Sequence, residues 1–151
     1  MRQKYLSKYS IITLAFIVFG CHAVAGDKAE IHPSSKYPDY AVSVAVAYGG
    51  VLYLSGDIGT DPSGKLVEGG IVPESRQTME NIKATLNRHG VGMEDIIKCT
   101  VFLADISEWS AFNRIYAGYF EKGKYPARSA LAASGLALGA RVEVDCIAAQ
   151  R

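Results

Sequence analysis

The chain carries Pro126-Ala127-Arg128-Ser129-Ala130-Leu131 and, after a loop of small residues, Arg141-Val142-Glu143-Val144. Gly123 and Pro126 end whatever helix precedes them, because proline lacks the N–H a helix needs. Ala127 to Ala132 and Arg141 to Ala149 then read as two closing strands. In the last one Val142, Val144 and Cys146 face one side, while Arg141, Glu143 and Asp145 face the other. One apolar face per strand predicts a single sheet with its helices packed on that face. The second face is left polar or joined to a partner. The same stretch has chemistry. A guanidinium held on a strand is a planar fork that grips a carboxylate through two parallel charge-assisted hydrogen bonds. A nearby glutamate is able to order or deprotonate a water. Arg128 and Glu143 therefore suggest a pocket for a small carboxylate-bearing molecule.

The rest of the chain fits around this pair. Gly26 to Asp39 is polar and reads as an extended lead-in. Val42 to Tyr48 and Val51 to Ser55 form a hairpin across Gly49-Gly50, a turn that permits positive φ. Asp61-Pro62-Ser63-Gly64 is a further turn. Pro73 opens a helix, Met79, Ile82 and Leu86 give it one apolar face, and Gly90 ends it. From Asp95 to Ala104 the pattern alternates, with Ile97, Cys99, Val101 and Leu103 on one side and Lys98, Thr100 and Phe102 on the other. Ser107 reads as an N-cap. The aromatic stripe behind it, Trp109, Phe112, Ile115, Tyr116, Tyr119 and Phe120, has helical spacing and reads as core. The predicted order is β-β-α-β-α-β-β, an α+β layer.

The chain has 151 residues, 49% of them apolar and 21% charged, enough for one packed domain. Its start is different. Arg2, Lys4 and Lys8 precede an apolar run from Ile11 to Phe19, and Ala23-Val24-Ala25 has the small-x-small pattern of a signal-peptidase site. Residues 1–25 read as a signal peptide, residues 26–39 as the lead-in and residues 40–151 as the domain. The run is too short for a retained span, which needs about 20 residues. An exported protein, periplasmic or secreted, is expected. Acylation at Cys21 is a lesser possibility. Without the leader the chain keeps 13 of 16 basic residues and all 15 acidic ones, a net charge of −2. No basic stripe is available for phosphates, which disfavours nucleic acid. Cys99 and Cys146 sit in apolar strand-like runs. Export would permit a disulfide, but two small buried hydrophobes is the simpler reading, and sequence does not give their separation. His32 and His89 stand apart, so no metal centre is expected.

Several spaced pieces resemble the Rid family, the reactive intermediate deaminases also called the YjgF family. They are Leu54-Ser55-Gly56, the helix from Gln77 to Leu86, Lys98-Cys99-Thr100-Val101-Phe102-Leu103 with Asp105, Phe112-Asn113-Arg114-Ile115-Tyr116, and Pro126-Ala127-Arg128-Ser129 followed by Val142-Glu143-Val144. The resemblance runs from Tyr40 to Arg151. It implies a chorismate-mutase-like α+β fold and a homotrimer with clefts between subunits. It implies hydrolysis of enamine or imine intermediates such as 2-aminoacrylate to a 2-keto acid and ammonia, with no metal or organic cofactor. Arg128 matches the arginine that binds the substrate carboxylate, and Glu143 the acid near the attacking water. Ser55, Gly56, Asp57, Asn113 and Ala130 fall at cleft positions.

There are departures. Val42 stands where an aromatic residue is common, with Tyr40 close by as a substitute. Asp57 stands where glutamine is common, and Ala130 replaces a frequent cysteine. Asp57 near a substrate carboxylate would oppose binding unless it points away or is neutralised. Each residue also has a structural reading. Arg128 bridges subunits through Glu143 or Asp145, Glu143 sits on a solvated face, Ser55 bonds the backbone, and Asn113 braces its helix. Beside the deaminase stand a non-catalytic exported trimer that binds small carboxylates, and a nuclease or translation inhibitor, which the charge disfavours.

Overall fold

The computed structural model describes residues 28–150. Its elements are β1 (Glu30–Pro33), β2 (Ser43–Tyr48), β3 (Val51–Leu54), β4 (Asp57–Ile58), α1 (Ile71–Arg88), β5 (Ile96–Leu103), α2 (Trp109–Ala117), β6 (Ala127–Ala132) and β7 (Val142–Ala149). The strands form one seven-stranded sheet in the order β1-β2-β3-β7-β5-β6, with β4 also paired to β7. All pairings are antiparallel except β5 with β6, which α2 connects as a crossover.

Both helices lie on one face. Met79, Ile82 and Leu86 of α1 and Phe112 and Tyr116 of α2 pack with Leu52, Val101, Val142 and Val144 in one buried cluster. Truncating one of these fully buried side chains to alanine costs about 2–5 kcal/mol. Gly69 and Gly70, both at positive φ, turn the chain into α1, and Gly90 at φ 69° turns it out. Pro73 falls in the first turn, where its missing N–H removes no internal bond.

The other face has no helix. Tyr53 on β3 stands beside Val46 and Ile147, and Phe102 on β5 lies between Glu143 and Leu131. Tyr53 is 44% exposed and Leu131 43%. These apolar side chains stand among Lys98, Thr100, Glu143 and Asp145 on the same face.

The structure differs from the sequence reading in four places. The polar lead-in contains β1, which pairs antiparallel with β2 and puts His32 opposite Ala45. An irregularity between Ile96 and Lys98 inserts an extra residue into the β5–β7 ladder, so Ile96 is buried and Ile97 turns outward. Asp105, not Ser107, caps the start of the second helical segment: its Oδ1 accepts the Ser107 N–H at 2.8 Å, and a single 3₁₀ turn leads into α2. Cys99 and Cys146 are directly opposite on β5 and β7 and form a disulfide. The reading of two unbonded hydrophobes is corrected, because the cross-strand register puts their Cα atoms 4.1 Å apart.

Candidate functional site

Arg128 enters β6 two residues after Pro126 and projects toward α2. Its Nη2 donates to Asn113 Oδ1 at 2.7 Å. Its Cζ lies 4.5 Å from the Tyr116 ring centroid and 5.7 Å from that of Trp109. The aromatic faces hold the cation without consuming its donors. Among the described residues no carboxylate forms an ion pair with Arg128, so most of its fork is left for an incoming acceptor. Ala130, two residues on, points to the same face of the edge strand and packs against the core.

Trp109, Asn113 and Tyr116 share one face of α2 by their four- and three-residue spacing, and that face meets Arg128. The sequence reading put both aromatics in the core. Tyr116 is buried, but it is also the platform beneath the guanidinium. Its hydroxyl is buried without a hydrogen-bond partner, and burial pushes its pKa up to about 12 against the opposing pull of Arg128.

Glu143 belongs to a different place. It sits half-buried on β7, opposite Phe102, on the face without helices. Arg128 is registered with Cys99, which faces the helices. Cys99 and Phe102 are three residues apart on one strand and point to opposite faces. Arg128 and Glu143 of one chain therefore do not share a pocket, and the single-pocket expectation is corrected.

Gly56 lies under Glu143: a Cβ at position 56 would collide with the Glu143 carboxylate. Burial first, then the negative charges of Asp145 and Asp57, raise the Glu143 carboxyl above its usual range. A carboxylate so tuned is a better proton acceptor near neutral pH than an ordinary surface glutamate. Ser55 follows its structural reading, with its hydroxyl donating to the Ser43 carbonyl at 2.7 Å.

Asp57 points the other way. It is registered with Val144, on the helix side, and Asn81 Nδ2 of α1 approaches its Oδ1 at 3.4 Å. Its carboxyl is raised, mainly by burial, while Lys36, Asn81 and Arg88 oppose the shift. It lies on the opposite face from Glu143, and Lys36 and Arg88 offset its charge, so its repulsion of a substrate carboxylate beside Glu143 is weakened. Asn81 was not singled out in the sequence. Its Nδ2 also donates to the Ile58 and Thr60 carbonyls, which ties β4 to α1. Val42 is 44% exposed and Tyr40 66% exposed at the entry to β2, so neither is sequestered in the core.

The family described as Endoribonuclease L-PSP matches residues 29–150. A 2-iminobutanoate/2-iminopropanoate deaminase of Capra hircus is 43% identical over 109 residues, covering 72% of this chain and 79% of its own. Protein HMF1 of Saccharomyces cerevisiae is 40% identical over 109 residues, covering 72% and 84%. The crystal structure of YyfA from Yersinia pestis, a protein of the conserved Rid family, superposes with a TM-score of 0.75 at 37% identity, covering 81% of this chain and 99% of that one.

The curated relatives also correct the expected localisation. The animal and yeast proteins among them share this domain and give no support for a periplasmic, secreted or Cys21-acylated protein. A basic start and a short apolar run are common to several targeting segments, so the pattern does not fix a destination. Residues 1–25, read as the leader, lie outside the described residues.

Proposed function

The chain belongs to the Rid (YjgF) family, described as Endoribonuclease L-PSP, and on that premise we propose that it hydrolyses reactive 2-imino acids and their enamine tautomers to 2-keto acids and ammonia. Relatives at about this identity are named for that reaction on 2-iminobutanoate and 2-iminopropanoate. The observation that carries the proposal is Arg128, a guanidinium steadied by Asn113 and Tyr116 and without a carboxylate partner among the described residues.

In this reading Arg128 takes the substrate carboxylate in a bidentate grip. A 2-aminoacrylate-type enamine first tautomerises to its imine. Glu143 accepts a proton from a water as that water's oxygen bonds to the C=N carbon. Glu143 passes that proton to the imine nitrogen to give a carbinolamine, which collapses: the hydroxyl proton moves to nitrogen, the carbonyl forms, the C–N bond breaks and ammonia leaves. Free imines already hydrolyse in water, so orientation supplies most of what is needed. No covalent nucleophile enters, and Ala130 is consistent with that.

The two groups face opposite sides of one sheet, so the site is assembled between copies, Arg128 from one and Glu143 with Gly56 and Ser55 from another. The helix-free face, with Val46, Tyr53, Ile147, Phe102 and Leu131 set among polar residues, is the surface we propose for that association, and a homotrimer is the assembly. The wording of the family description points toward RNA, but neither the net charge of −2 in residues 26–151 nor the lack of a basic stripe suits phosphate binding.

The test uses purified protein and 2-imino acids generated from amino acids by an amino-acid oxidase. Decay accelerated by the protein, and not by Arg128→Ala, is the expected result. Uncatalysed decay in the presence of folded wild-type protein would contradict the proposal and leave a carboxylate binder without turnover.

A further inference from the structure

On the helix side of the sheet a cavity of about 380 Å³ opens between α1, the ends of β2 to β4 and the segment after β1. Ser55 and Gly56 form part of its rim, but Arg128 and Glu143 do not line it. Three charged side chains do: Lys36, Asp57 and Arg88, over a floor that includes Val44, Leu54 and Ile82.

Their present bonds leave capacity unused. Lys36 Nζ donates to the Thr60 carbonyl at 3.2 Å and to Thr60 Oγ1 at 2.6 Å, which orients the ammonium and leaves one N–H. Arg88 Nη2 donates to Thr85 Oγ1 at 2.9 Å, which fixes the guanidinium at the wall with the rest of its fork exposed. Asp57 is half-buried and accepts the Ile58 backbone N–H and, at 3.4 Å, Asn81 Nδ2. Two donors leave lone pairs of that carboxylate free.

Two cations and a carboxylate with free lone pairs around one apolar-floored cavity complement a molecule with a carboxylate and an ammonium close together. We propose that this cavity binds a free 2-amino acid, its carboxylate on Arg88 and Lys36, its ammonium on Asp57 and its side chain over Val44, Leu54 and Ile82. A simple carboxylate would face the Asp57 charge with no cation of its own, and a simple amine would add a third positive charge beside Lys36 and Arg88. The inference does not rest on the deaminase reading, because its charged contacts are Lys36, Asp57 and Arg88 and neither Arg128 nor Glu143 lines the cavity.

Isothermal titration of the full chain tests it with L-alanine, L-leucine and L-glutamate as probes, and with L-lactate and propylamine as the two half-ligands. At least one amino acid binds saturably and the half-ligands do not. Asp57→Asn and Arg88→Ala each weaken that binding by about tenfold or more, the usual effect of losing one charged hydrogen bond, while Arg128→Ala leaves it unchanged. Circular dichroism verifies that the variants are folded. Three results would overturn the proposal: no heat from any amino acid, equal binding of lactate, or binding that survives both cavity variants and is lost in Arg128→Ala.

Discussion

Replacing Cys99 and Cys146 by alanine together removes the covalent link between β5 and β7 at the centre of the sheet. The residues are 47 apart in sequence. In the chain-entropy account, a loop of that length restrains the unfolded chain enough to stabilise the fold by about 4 kcal/mol at 25 °C. Both positions are fully buried, and alanine loses the sulfur contacts too, so packing adds to the cost. For a domain of this size, 4 kcal/mol corresponds to a fall in melting temperature of roughly 15 °C. The assay is thermal and guanidinium unfolding of oxidised wild type and the double variant at one protein concentration, since association also contributes to apparent stability. Thiol titration of the unfolded wild-type protein verifies that the pair is bonded. A change below about 1 kcal/mol, with the bond verified in the wild type, would refute loop restraint as the source of stability.

Gly56→Ala places a methyl group against the flexible Glu143 carboxylate, so the glutamate swings aside while the fold survives. Turnover of imino acid should fall roughly as far as in Glu143→Gln, about a hundredfold or more for a displaced general base, with the melting temperature little changed. Gly59→Ala behaves in the opposite way: its Cβ would lie 2.7 Å from the backbone of Glu74, and stability should drop by about 1–3 kcal/mol in a denaturant titration. Asn113→Ala frees Arg128 from its 2.7 Å anchor and should raise KM by about tenfold in steady-state kinetics. The carboxyls of Asp57 and Glu143 are both raised in the folded protein, so the fold holds their protons more tightly than the unfolded chain does. Their contribution to stability is greatest below the ordinary carboxylate range and declines as pH rises through the raised folded values. Asp57→Asn should therefore gain on wild type as pH rises from acid toward neutral, read as urea midpoints at each pH. Turnover that depends on ionised Glu143 should be lost on acidification through its raised pKa.

The two helices and most of the sheet were legible because their signals are local. Met79, Ile82 and Leu86 repeat at helical spacing, and Val142, Val144 and Cys146 alternate. Glu30-Ile31-His32-Pro33 was not recognised as a strand because it is polar and carries a proline, and only its pairing with β2 makes it one. Ile97 was assigned to the wrong face because alternation gives no sign of where an extra residue enters a ladder. The Cys99–Cys146 bond depends on register, which links residues far apart in sequence. The same holds for the candidate site. Arg128 and Glu143 were readable as residues, but their opposite orientation follows from register: Arg128 pairs with Cys99 and Glu143 with Phe102, which stand on opposite faces of β5. Trp109, Asn113 and Tyr116 did carry a signal, one helix face repeating at four and three residues. Asn81 carried none, since its partners Ile58 and Thr60 lie more than 20 residues away.

The most direct test of a site shared between copies is complementation. Arg128→Ala and Glu143→Gln, each inactive alone, are co-expressed with separate tags, and the mixed assembly is purified and assayed for hydrolysis of 2-iminopropionate. If one copy supplies the guanidinium and its neighbour the carboxylate, each mixed trimer holds one intact site of its three and roughly a third of wild-type turnover returns. Mixed assemblies as inactive as their parents would contradict the shared site and the chemistry built on it.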